Sequence, residues 1–239
     1  MRIAISTVAA LLAALTTLPA CSSKSSVTEQ QLKQIAALQA EIAALDRQAG
    51  LIKDANDIKR LQRAYGYYLD QAKWDEMADL FAKDGSIEIA LNGVYRGQVR
   101  VREFLHALGN GKTGLQEGQL NEHMMLQPVV NVAPDGMTAK ARWRAFIMMG
   151  EYGKNAFWGE GPYENEYVKE DGEWKISKLH WYQTFIVPYD GGWMKNKDAT
   201  GGKFSLKGLS PDAPPSEDYG VWPKIYTPPF HFKNPVSGK

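Results

Sequence analysis

The chain has 239 residues, 28 basic and 27 acidic side chains, and a single cysteine. Setting aside Arg2, which opens an export-type leader, the charges balance, so there is no electrostatic footprint for nucleic acid or for an acidic polymer. One cysteine excludes an internal disulfide; stability must come from a packed core, and the length suits one domain with appendages.

Residues 1–20, within "MRIAISTVAALLAALTTLPAC", read as a signal peptide: a positive start, an apolar run broken by Ser6, Thr7, Thr16 and Thr17, then small residues before Cys21. "LPAC" resembles a lipobox, with Leu18 and Ala20 in the expected places and Pro19 departing from the usual residue. That resemblance implies a lipid on Cys21, and Ser22 fits outer-membrane sorting; ordinary signal-peptidase cleavage is the other reading. Either way the protein is expected to be exported to the periplasm, with membrane contact only through that lipid.

Residues 21–53 form a polar spacer, "SSKSSVTEQQ", and an amphipathic helix. Ile35, Leu38, Ile42, Leu45, Ala49 and Ile52 recur at spacings of three and four, the pattern of a heptad seam. Two readings stand: a stalk lying on its own domain, or a coiled coil joining a homo-oligomer, dimer or trimer. Gly50 is expected to mark a bend.

Residues 54–187 carry the densest pattern. Asp54 or Asp57 is placed to cap a helix bearing Ile58, Leu61, Tyr65, Tyr68 and Leu69 on one face, with Tyr67 turned away. A short second helix buries Trp74, Met77, Leu80 and Phe81, and "DG" at 84–85 is expected to turn into the strand "SIEIAL". "VREFLHALG" predicts a third helix. Hairpins follow, turning at "PDG" and again at "DG" (171–172). Three helices followed by strands predict an α+β domain, a curved antiparallel sheet closed on one side by helices. Residues 188–239 are rich in proline and aromatics without a period. Trp222, Tyr226, Phe230 and Phe232 predict a tail laid against protein surface, its own domain's or a neighbour's.

The stretches "IKRLQRAYGYYLDQAKWDEMADLFAKDGSIEI", "VYRGQVRVREFL", "HMMLQPVVNVAPDGMTAKARW" and "GPYENEYVKEDGEWKISKLHW", in that order, resemble the SnoaL-like branch of the nuclear-transport-factor-2 superfamily. The resemblance implies a cone in which a bent sheet and three helices enclose one pocket. Two residues line up with the catalytic pair of the scytalone-dehydratase type: Asp70 at the end of the first helix and His123 at the head of a strand. The second pocket histidine of that type falls at Trp143 and its asparagine at Tyr163, so scytalone itself is not implied as substrate. "LQPVVNVAPDGMTAKARWRAFIM" and the tail "TPPFHFKNP" resemble exported γ-formaldehyde lyases acting on lignin-derived diaryl propanediols.

His123 alone has a bland reading, a strand-end histidine bonded to backbone. A carboxylate across the same cavity tips it toward catalysis, because Asp70 can fix one tautomer and stabilise the cation. Aspartate is also a poor choice beside a helix C-terminus, which hints at another demand on it. Tyr68, or the protonated His123 itself, is the candidate acid. Tyr65, Trp143, Tyr163 and Asn165 are candidates to hold an aromatic substrate; alternation puts Trp143 with Ala139, Ala141 and Ala145 on the inward face and the neighbouring arginines outside. His180 is a weaker second acid/base candidate. No metal-ligand cluster, dinucleotide fingerprint or phosphate loop is present, so no metal or cofactor is expected. The sequence thus points to a cofactor-independent lyase of an aromatic compound, with a lipid-anchored binding protein, or a dehydratase or isomerase of another aromatic, as alternatives.

Overall fold

A computed structural model describes residues 28–239 except 205 and 207. The expected signal peptide and Cys21 lie outside the described residues. The first helix, α1, runs from Glu29 to Asp70, and Gly50 does not interrupt it. A helix interior tolerates one glycine at a cost of about 1 kcal/mol, and Ala49 and Leu51 flank it. No new cap is needed at Asp54 or Asp57 either. Asp54 instead accepts hydrogen bonds from Lys169 Nζ and Trp174 Nε1, both at 2.8 Å. Burial pushes that carboxyl up, but these donors and the Lys169 charge hold it below the ordinary range.

The chain divides into two units between Asp46 and Arg47. In the first, helix α1 presents Leu32, Ile35, Leu38, Ile42 and Leu45 to solvent. The second unit holds everything else. There α1 leads into α2 (Trp74–Ala78), β1 (Phe81–Ile89), β2 (Val94–Arg96) and α3 (Gln98–Leu108). β3 (Gln119–Val132), β4 (Thr138–Glu151), β5 (Asn155–Glu170), β6 (Glu173–Trp181), β7 (Phe185–Pro188) and the single turn α4 (Gly192–Lys195) follow. The architecture is α+β, with a curved, open sheet ordered β2-β1-β6-β5-β4-β3 and β7 beside β5.

Every pairing is antiparallel except β1 with β6, which is parallel. That exception explains "DG" at 84–85. Both residues lie inside β1, at a shift in its register against β6, and the expected turn is a bulge. A Cβ on Gly85 would sit 2.7 Å from the Ile176 carbonyl oxygen, so only glycine lets the two backbones approach this closely. The second "DG" is a true hairpin turn: Asp171 and Gly172 both have positive φ, 50° and 83°, as a tight β5–β6 connection requires.

The core forms where α1 lies across the sheet. Ala139, Ala141, Trp143, Ala145 and Ile147 of β4 are buried, as the alternation predicts, and pack with Ile58, Tyr65 and Leu69. Each such large apolar side chain contributes roughly 1.5–3 kcal/mol by leaving water. Threaded through them is a buried polar chain. Gln62 Oε1 accepts from Tyr167 OH at 2.8 Å and Asn165 Nδ2 at 3.1 Å, and Tyr167 OH accepts from Trp143 Nε1 at 3.0 Å. Burying these polar groups is tolerable because each has a partner.

The C-terminal segment lies on the outer face of its own sheet. Glu88 accepts from Ser216 N and Oγ, both at 2.7 Å, and Glu217 accepts from Tyr182 OH at 2.8 Å and from Tyr226. Farther along, His231 bridges Glu164 and Asn131, and Arg142 lies 4.4 Å over the Phe230 ring. No helix among the described residues is long and apolar enough to cross a membrane.

Candidate active site

The last turn of α1 is stitched to β3. Asp70 Oδ1 accepts the His123 backbone N–H at 2.7 Å, and Asn121 Nδ2 donates to the Leu69 carbonyl at 2.8 Å. Gly66 makes the approach possible: a Cβ there would meet Met125 Cγ at 3.0 Å and the His123 carbonyl at 3.2 Å. His123, Asn121 and Met125 therefore share the face of β3 that looks toward α1, while Met124 and Leu126 point out.

This stitching brings the His123 ring beside the same carboxylate. Nδ1 lies 3.5 Å from Asp70 Oδ1, both side chains are about nine-tenths buried, and Nδ1 has no hydrogen-bond partner. An Nδ1–H donated to Asp70 leaves Nε2 as the acceptor on the other side of the ring. His123 is part of the wall of a cavity of about 540 Å³, whereas Asp70 stands behind it. A cavity of this volume is in the range used for small organic ligands.

Leu69, Trp74, Phe104, Ile147, Trp181 and Phe204 make most of that wall apolar and aromatic, and Asn110, Lys112, Gln116, Gln119 and Asn155 add polar atoms. Tyr65 and Tyr163 also line it, with rings perpendicular and centroids 6.2 Å apart. Burial pushes the Tyr163 phenol well up; the neighbouring Tyr65 hydroxyl opposes this, while the nearby Tyr167 and Asp70 add to it. Burial likewise raises Tyr65. Both phenols are protonated and can act as donors.

Four of the residues singled out in the sequence thus come together: His123, Asp70, Tyr65 and Tyr163. Three do not reach the cavity wall. Tyr68 is half-buried against the core and is not part of the cavity wall. Trp143 and Asn165 are inward-facing as expected, but the Gln62–Tyr167 chain occupies their polar atoms. They support the sheet under the site and are not part of the cavity wall. Phe204 contributes to the wall from the aperiodic C-terminal segment, where no sequence period signals it. Glu160 and Glu164 pair on the outer face with Arg144 and Arg142. Among the described residues there is no group of three or more His, Cys, Asp and Glu side chains able to hold a metal ion.

His180 is on the opposite face of the sheet, stacked on Tyr182 at 3.7 Å and buried beneath the C-terminal segment, with neither ring nitrogen bonded. It is therefore no second acid/base for this cavity. Burial and the Lys178 charge push its imidazole down to about 3, against the pull of Glu217. Glu88, 3.5 Å away, has both oxygens engaged by Ser216. A histidine that is neutral when folded contributes stability above its unfolded value of about 6.5, and loses it as pH falls below that. Melting of the wild type should fall by up to about 1.4 kcal/mol per pH unit from this group between pH 6 and 4. His180→Phe, which keeps the stack on Tyr182, should flatten that limb in thermal melts; an unchanged slope would contradict the assignment.

Residues 51–180 match the SnoaL-like domain family, and the chain belongs to it. Among solved structures, the chain is similar to a protein from Novosphingobium aromaticivorans provisionally named a scytalone dehydratase. The two share 22% identity over 59% of this chain and 91% of that one, with a TM-score of 0.51. A second Novosphingobium aromaticivorans protein, provisionally named an aromatic ring hydroxylase, shares 20% identity over 57% and 94% of the two chains, TM-score 0.49. A Catenulispora acidiphila protein in complex with S-DNPA shares 15% identity over 54% and 91%, TM-score 0.46. The likeness to these structures is one of fold. A SnoaL-like fold with a histidine and a carboxylate at its cavity supports isomerase- or dehydratase-type chemistry, which needs only acid and base.

Proposed function

We propose that the protein is a lyase of a lignin-derived 1,2-diaryl-1,3-propanediol, releasing water and formaldehyde to leave a stilbene. The observation that carries this reading is the buried Asp70–His123 pair at the edge of an aromatic-lined cavity, with the Tyr65–Tyr163 hydroxyls on the same wall. His123 Nε2 takes the proton of the terminal hydroxyl. The oxygen electrons become the formaldehyde carbonyl, the bond to the terminal carbon breaks, and its electron pair forms the new double bond. The benzylic hydroxyl leaves as water with a proton from Tyr163, which lines the same cavity wall as His123. One proton is taken and one is given, so the fragmentation balances without an oxidant or reductant. Asp70 acts as a positioning residue that holds the imidazole and stabilises its cation. The acid role assigned from sequence to Tyr68 passes to Tyr163, which lines the cavity.

The same reading includes export to the periplasm, an outer-membrane lipid on Cys21 and assembly as a dimer or trimer. Compared with a dehydratase, the lyase needs a free terminal hydroxyl. The test offers the diol beside its terminal methyl ether, following stilbene fluorescence and trapped formaldehyde. Turnover of the diol alone supports the lyase. Alkene from both, without formaldehyde, makes the protein a dehydratase. No turnover of either, with stilbene still bound, makes it a binding protein.

A further inference from the structure

The exposed seam of α1 has no partner in its own unit, and its composition says what covers it. Leu38 and Ile42 are each 58% exposed, Leu45 56% and Ile52 66%, in a helix of 42 residues. An isolated solvated helix has no use for such a row, and its spacing is the 3.5-residue repeat of a coiled coil rather than the wider stripe of a helix resting on a globular surface.

We infer that α1 pairs with a second copy of this chain as a parallel, two-stranded coiled coil, with Ile35 and Ile42 at a and Leu38 and Leu45 at d. The β-branched residue falls at a and leucine at d, the combination that favours two strands over three. Ala49 and Ile52 continue the register at a and d without that combination, so the two heptads from Ile35 to Leu45 carry the two-strand preference. Covering the exposed parts of Leu32, Ile35, Leu38, Ile42, Leu45 and Ile52 in both copies removes on the order of 1,000 Å² from water, at the lower end for a specific interface. The dimer is therefore a weak, concentration-dependent one.

A lipid surface fits the same face less well. Between Glu29 and Asp46 the only cation is Lys33, against Glu29, Glu41 and Asp46. Helices that lie on anionic membranes carry the opposite excess. The flanking charges also predict a particular weakness in the dimer. In a parallel pair, Glu41 at g faces Asp46 at e of the other copy, and the two repel.

The test uses the full chain carrying Cys21→Ser, studied by sedimentation from about 1 to 100 µM, the span where weak dimers dissociate. The wild-type seam should give a monomer–dimer equilibrium. Ile42→Glu with Leu45→Glu should leave only monomer, with the melting of the folded domain unchanged. Asp46→Lys, which turns two repulsions into attractions, should tighten the dimer by roughly fivefold. Leu45→Cys should cross-link to itself, as a parallel register requires. A monomer throughout, a trimer, a dimer that survives the double glutamate variant, or a dimer in which Leu45→Cys fails to cross-link would each overturn the inference. Seam-dependent binding to anionic vesicles without dimerisation would overturn it in favour of the membrane.

Discussion

His123→Ala should lower kcat for the diol by about 10²- to 10⁴-fold, the usual contribution of a positioned general base, while stilbene binding changes little. The expectation follows from where the ring stands. Its Nδ1 side is closed off by Asp70, and its other edge borders the cavity. Truncation opens space in a wall already roomy enough for ligand, so the loss should appear in kcat and not in KM. Asp70→Asn keeps the shape and can still accept the His123 backbone N–H, but it removes the charge that stabilises the imidazolium. It should cost on the order of 100-fold with stilbene binding preserved. A shared collapse of kcat, binding and melting in both variants would make the pair structural rather than catalytic.

The largest effect on stability is expected from Asp198→Ala, in the aperiodic segment that follows α4. The Asp198 carboxylate accepts from the Ile186 and Gly201 backbone amides, both at 2.6 Å, and from the Gln183 amide, also at 2.6 Å. It accepts further from Thr200 N at 2.8 Å and Thr200 Oγ1 at 3.0 Å. Alanine leaves the buried Ile186 amide unpaired, strips the Gln183 amide of one acceptor and frees the Thr200–Gly201 turn, which should together cost about 3–5 kcal/mol. For a domain of this size that lowers Tm by roughly 10 °C. The loss should reach the cavity, because Ile186 is both bonded to Asp198 and part of the wall. Thermal melts should show the drop, and stilbene affinity should fall with it; a Tm within a degree or two of wild type would show the segment to be loosely held.

Local periodicity carried much of the fold. The alternation at Ala139, Ala141, Trp143 and Ala145 placed β4 with the right face inward, and the three- and four-residue spacing placed the helices. Gly85 misled because "DG" reads as a turn wherever it occurs, while its use as a bulge depends on a parallel partner more than ninety residues later. Gly50 does not interrupt α1, since a helix with good flanking residues absorbs one glycine. In the site, the pairing of Asp70 with His123 rested on resemblance; nothing local links positions separated by 53 residues. Trp143 and Asn165 show the limit of alternation. It tells which side chains point inward, but not which meet the cavity and which meet Gln62 from the helix above. The Ser216–Glu88 and Gln183–Asp198 contacts are polar and aperiodic, so no pattern in the chain announces them.

The most direct test of the central claim is a time course of the wild-type protein with a single 1,2-diaryl-1,3-propanediol, measuring stilbene and trapped formaldehyde in the same samples. Equal amounts of the two products, rising together and absent with His123→Ala, are the predicted result. Stilbene-type alkene without formaldehyde, formaldehyde without alkene, or equal turnover by His123→Ala would contradict it.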